Sequence, residues 1–130
     1  MDWRVIFRWL LATFFVAAGA NHFRAPEFYA VMMPAWLPHP AALVVISGVA
    51  EILGGVGALV PLLRRAAGWG LIALLVAVFP ANLHMALQHL SPPGLTVPNW
   101  VLWVRLPFQA VLIGWVWWTA AGEPPENPLE

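Results

Sequence analysis

The stretch AALVVISGVAEILGGVGALVPLL, residues 41–63, is an apolar run broken by one carboxylate, Glu51. About 20 apolar residues suffice to cross the hydrocarbon core of a bilayer, so the segment is long enough to span one. Glu51 then sits near the midplane, where a charged side chain costs roughly 2.5–3.5 kcal/mol on insertion scales. A sequence keeps such a group when it is paired, protonated or turned toward a cavity. At helical spacing Ser47, Glu51, Gly54, Gly55 and Ala58 share a face, and its small residues let neighbouring helices approach closely. The segment reads as the central helix of a bundle, with Glu51 pointing inward.

The rest of the chain agrees with that reading. Of 130 residues, 62% are hydrophobic and 9% charged, and the mean hydropathy is +0.78. A soluble domain carries about 25% charged residues, so the composition is that of an integral membrane protein. Six arginines, no lysine, a net charge of zero and no basic block exclude a nucleic-acid partner. The absence of cysteine excludes disulfides, thiolate metal sites and dithiol chemistry within the chain.

Hydropathy places spans at about 3–20, 41–63, 66–90 and 98–121, which predicts an all-α, four-helix transmembrane bundle over 1–121. Arg4, Arg8, an apolar run and Ala18-Gly19-Ala20 imitate a secretory signal with its cleavage site, and are read here as the first transmembrane helix. Proline breaks the 21–40 connection, where Phe28, Tyr29, Met32, Met33 and Trp36 suit an interfacial segment that caps the outer end. Arg64 and Arg65 form a tight hairpin, and 88–97 is turn material. Residues 122–130 are acidic and Pro-rich, an expected disordered tail. Arg4, Arg8, Arg64 and Arg65 share one side and only Arg24 lies at the other. The positive-inside rule then puts both termini in the cytoplasm, in a bacterial inner membrane. Pro80 and Pro107 fall inside spans and disturb the carbonyls four residues back.

This orientation gathers scattered polar residues at one depth. Asn21 and His22 end the first helix, Asn82 and His84 lie in the outer half of the third, and Arg105 and Gln109 share a face of the fourth. With Glu51 they make seven candidates for a ligand pocket, in which Arg105 is the expected partner of Glu51. His84 continues a small-residue stripe through Gly70, Ala73, Ala77 and Ala81, which favours an inward imidazole. Asn82 and His84 cannot both face the bundle centre squarely. The plainer reading stays equally open: these groups only fix the register of the bundle.

His22, His84 and Glu51 would be a chemically sensible metal set. They come from three helices without a local spacing motif, so no metal ligand is assigned. A bis-His haem needs a second buried imidazole. A quinone or another small polar-headed molecule needs less: an imidazole or guanidinium donor, a carboxylate to take protons and an apolar pocket.

The pieces AGANHFRAPEFY (18–29), MMPAWLP (32–38), ISGVAEILGGVGALVP (46–61), RRAAGWGLIALLVAVFPANLHMAL (64–87) and RLPFQAVLIGWV (105–116) appear in this order. Together the sequence resembles the DoxX-like family of small membrane proteins, in its uncharacterised branch. The resemblance implies a four-helix transmembrane bundle. It also implies a redox neighbourhood, since the namesake is a subunit of a thiosulfate:quinone oxidoreductase and other members accompany oxidative-stress enzymes. Animal relatives assist receptor assembly, so fold does not secure function. Asn21, His22, Glu51, Asn82, Arg105 and Gln109 fall at family-patterned positions, and no catalytic residue transfers.

Two functions are therefore expected. One is a membrane subunit that binds a quinone or similar molecule in an outer-half polar pocket, with a redox enzyme or a second copy as partner. In it Glu51 and His84 handle protons while Arg105, Gln109, Asn82 and His22 orient the polar head. The other is a non-catalytic scaffold or assembly factor whose polar cluster is structural. A small-solute carrier would need an oligomer, and no inverted repeat supports it.

Overall fold

The computed structural model of the chain describes residues 2–31, 33–91, 94–124 and 129. The chain runs as α1 (Trp3–Arg24), a short α2 (Pro26–Ala30), α3 (Pro40–Leu59), α4 (Arg64–Leu87) and α5 (Asn99–Val116), which continues into a π-helical turn, Trp117–Ala121. Local chemistry sets these limits. The Asp2 carboxylate accepts a hydrogen bond from the Arg4 amide at 2.9 Å and caps α1. Ala25 leaves the helical region ahead of Pro26, and Pro26 and Pro40 open α2 and α3, where a missing N–H costs nothing.

Four helices, Trp3–Arg24, Pro40–Leu59, Arg64–Leu87 and Asn99–Ala121, are long and apolar enough to cross a membrane. They pack as an all-α bundle. α1 lies along α3, α3 along α4 and α4 along α5, so α3 holds the inner position expected for it. The close backbone approach of the last span to α1 comes through the π-helical turn.

Between apolar helices in lipid, packing rather than water exclusion drives association, so small residues mark the contacts. A Cβ on Gly19 would lie 2.7 Å from the Gly48 carbonyl oxygen, and one on Gly48 would lie 2.8 Å from His22 Cβ. That crossing presses the end of α1, and with it His22, against α3. One apolar cluster, with Leu11, Phe15, Leu71, Leu75, Leu112 and Val116, fills the half of the bundle near the termini. Met85, Ala86 and Leu102 form a second cluster toward the other end.

One expectation is corrected and one contact is added. Most of the small-residue stripe of α4 faces outward: Gly70, Ala73 and Ala77 are exposed, and a Cβ on Gly70 would meet nothing within 4 Å, while Ala81 is half-buried and lines the cavity described below. The inward face carries Gly68, Leu71, Leu75 and Met85, because larger side chains are needed to fill the core. The added contact is on the arginine side. Arg8, 7% exposed, donates from Nε to the Thr119 carbonyl at 2.8 Å and pairs with Glu123. Arg64 Nη1 lies 3.2 Å from the other Glu123 oxygen, and Arg64 Nε donates to the Ala58 carbonyl at 3.0 Å. Glu123, at the start of the segment read as a tail, thus joins α1 and α4, and the guanidinium of Arg8 satisfies a carbonyl at a helix C-terminus. The rest of that reading, 125–128 and 130, lies outside the described residues, as do Met32 of the interfacial segment and Pro92 and Pro93 of the last turn.

Candidate functional site

α1 and α3 build one wall of the site. His22 is 6% exposed, and its Nδ1 lies 2.9 Å from the Val44 carbonyl oxygen. A carbonyl only accepts, so this network assigns the proton to Nδ1. Nε2 then points toward Glu51, 3.2 Å from Oε2. Val44 and Glu51 are seven residues apart on one face of α3, which lets a single imidazole span both. Two lone pairs in contact would repel, so the His22–Glu51 couple holds one proton, on Nε2 or on Oε2. Oε2 is fully buried, with the imidazole as its polar neighbour. The short α2 closes this wall. Tyr29 stacks on His22 with ring centroids 3.7 Å apart, and Asn21 Nδ2 donates to Tyr29 Oη at 2.8 Å. Arg24 in turn donates to Asn21 Oδ1.

α4 and α5 build the facing wall. Asn82 Nδ2 donates to Gln109 Oε1 at 2.9 Å, and Gln109 Nε2 donates to the Leu75 carbonyl. That carbonyl lies one turn before Pro80, where the helix ladder is broken, so Gln109 satisfies backbone near the break. Arg105 reaches Met85 Sδ at 3.2 Å and Asn82 Oδ1 at 3.4 Å.

Between the walls is a cavity of about 250 Å³. His22, Glu51, Asn82 and Arg105 line it together with Tyr29 and Ser47, and the rest of its lining is apolar. Four of the seven residues singled out from sequence therefore face one space. Gln109 and Asn21 stand behind it as partners of Asn82 and Tyr29. His84 does not line it: two residues from Asn82 is about 200° round a helix, and Asn82 has the inward position. The expected Glu51–Arg105 pair is replaced by His22–Glu51, since the Gly19–Gly48 crossing brings the imidazole to the carboxylate first.

Sequence reading placed Tyr29 only at the interface and missed its contact with His22. Its signal is slight: it is the only tyrosine, seven residues beyond His22 in a segment too short to show periodicity. Among the described residues no group of three or more His, Cys, Asp or Glu could hold a metal ion. A second depression, about 430 Å³ beside the Arg64–Arg65 hairpin, holds Glu123 already paired with Arg64 and lies apart from this convergence.

Fold and cavity together define an integral membrane protein: four apolar helices in a bundle, with a polar pocket in the half away from the termini. Residues 11–120 match the family described as a domain of unknown function (DUF8561), and the chain belongs to that family. No curated protein and no solved structure matches the chain. The family bears no DoxX name.

Proposed function

We propose that the protein binds a small polar-headed molecule of the quinone kind in this cavity, as the membrane component of a redox system. The observation that carries the reading is the convergence of the His22–Glu51 couple, Asn82 and Arg105 on one otherwise apolar cavity. A ligand hydroxyl or N–H would donate to the Glu51 carboxylate, and an oxygen at its other end would accept from Arg105. Size agrees, because a cavity of roughly 150 Å³ already takes one benzene-sized ring. The likeness to DoxX-like proteins supports the redox setting. Electrons would come from a partner protein, since the chain carries no cysteine. In this reading the side with Arg4, Arg8, Arg64 and Arg65 faces the cytoplasm, and the pocket lies in the outer half of a bacterial inner membrane.

Native mass spectrometry and solvent extraction of the protein purified in mild detergent test this, with Glu51→Gln and Arg105→Gln alongside. A small molecule should accompany the wild type and be lost from both folded variants. A wild type that carries nothing and ignores added quinones would sink the proposal.

One observation favours a second reading, a non-catalytic scaffold. Gln109 and Asn82 tie α4 to α5 near Pro80, so part of the polar set holds the bundle together. That reading expects Glu51→Gln to lower stability with no change in bound molecules.

A further inference from the structure

The lining of the cavity shows where it opens. Phe14 and Ala18 line it, and both also line a shallow, open groove on the outer surface of α1 alone, with Thr13, Ala17 and Ala20. Cavity and groove therefore meet at Phe14 and Ala18. This is the side of α1 that faces α5, as the contact of the Phe14 and Trp115 rings at 6.1 Å shows. Below that contact the seam is shut: the Trp115 indole donates to the Phe7 carbonyl at 3.1 Å, and the π-helical turn meets α1. Above it, α1 packs along α3 and α5 along α4, and the seam between α1 and α5 is left to the lip residues. The other approach, from the membrane surface, is covered by α2, whose Tyr29 is stacked on His22 and bonded to Asn21.

Resting on the reading that the cavity holds a polar head, we propose that it is loaded sideways from the bilayer, through a slot between α1 and α5 with Phe14 and Ala18 as its lip. The ligand is then a single-tailed amphiphile. Its compact head sits between Glu51 and Arg105, and its apolar tail passes the lip and lies in the α1 groove. The groove suits a tail. Thr13 gives its hydroxyl proton to the Trp9 carbonyl at 2.9 Å, Ala17 and Ala20 leave room, and the polar Asn21 and Arg24 at its far end bond each other. A water-borne solute would have to displace Tyr29 from His22, whereas a membrane-dissolved one meets only the Phe14 ring, which is 40% exposed.

The test uses the full chain in phosphatidylcholine nanodiscs and two probes, a phenol bearing a photoactivatable diazirine on its ring with a decyl tail, and the same phenol without the tail. Labelled residues are mapped by mass spectrometry. The tailed probe should label cavity residues such as Ser47 and Val78, and the tail-free probe should label them far less. Ala18→Trp, which fills the lip, should abolish cavity labelling while leaving the exposed α3 residues Ile46 and Leu53 labelled as before. Phe14→Ala, which widens the lip, should raise it. Equal cavity labelling by both probes, or cavity labelling untouched in Ala18→Trp and Phe14→Ala, would overturn sideways loading. Labelling that responds to the lip variants but is unchanged in Glu51→Gln keeps the slot and removes the head-recognition reading. Labelling lost in Glu51→Gln but indifferent to the lip does the reverse.

Discussion

His22 and Glu51 show how one imidazole can settle two buried groups. Its Nδ1–H satisfies Val44 and its Nε2 meets the buried oxygen of the Glu51 carboxylate. Removing one partner strands the other in a low-dielectric space, while removing both does not. His22→Ala and Glu51→Ala should therefore each destabilise the protein, and the double variant should lose less than their sum. A double-mutant cycle by detergent unfolding should return a coupling of about 0.6–1.7 kcal/mol, the average-to-maximum range such cycles give for polar contacts between membrane helices. Additive losses would mean that the couple contributes nothing as a pair. Gln109→Leu should cost about 1 kcal/mol in the same assay, because Asn82 and the Leu75 carbonyl each lose a partner.

At the scale of the helix, the glycines divide by what surrounds them. Gly19 and Gly48 bring α1 against α3, and an added Cβ at either would come within 3 Å of its neighbours. Gly70 and Gly114 face open space. Gly48→Ala should lower stability by about 1–3 kcal/mol through overpacking, and should weaken ligand retention as His22 is pushed off Glu51. Gly70→Ala should be neutral, or stabilising by up to about 1 kcal/mol from helix propensity alone. Thermal unfolding in detergent of the two variants separates these outcomes, and equal losses would contradict the crossing. The π-helical turn follows the same logic: a Cβ on Gly68 would lie 2.5 Å from the Ala121 nitrogen, so α4 accepts the wider turn only where it has no side chain.

Across the whole molecule, the half near the termini is closed and the other half is open. Glu123 anchors the closed half through Arg8 and Arg64. Glu123→Gln leaves two largely buried guanidiniums without their countercharge and should cost about 3 kcal/mol, as for the loss of one partner of a buried pair. Unfolding of Glu123→Gln beside Arg8→Leu/Glu123→Leu checks this, with the double variant expected to be the more stable. Orientation has its own measurement. The chain has no cysteine, so Arg65→Cys and Trp36→Cys can be labelled singly in intact cells and in inverted vesicles. An impermeant maleimide should reach Arg65→Cys only in inverted vesicles and Trp36→Cys only in cells.

Sequence by itself determined the class of protein and the four apolar spans, with the C-terminal ends of the first three lying three or four residues from where hydropathy put them. Each of these follows from composition, span length and proline placement, which act locally along the chain. It also marked Glu51 as a group that needs a partner. Which partner was beyond it, because Arg105 and His22 lie at comparable depth and only the rotation of each helix chooses between them. Tertiary packing made that choice at Gly19 and Gly48, turned Asn82 inward and His84 aside, and set Gly70, Ala73 and Ala77 of α4 outward. It also brought Glu123 back to Arg8, 115 residues away in the chain. Burial of a charge is a property of the assembled bundle, so no local pattern announces it.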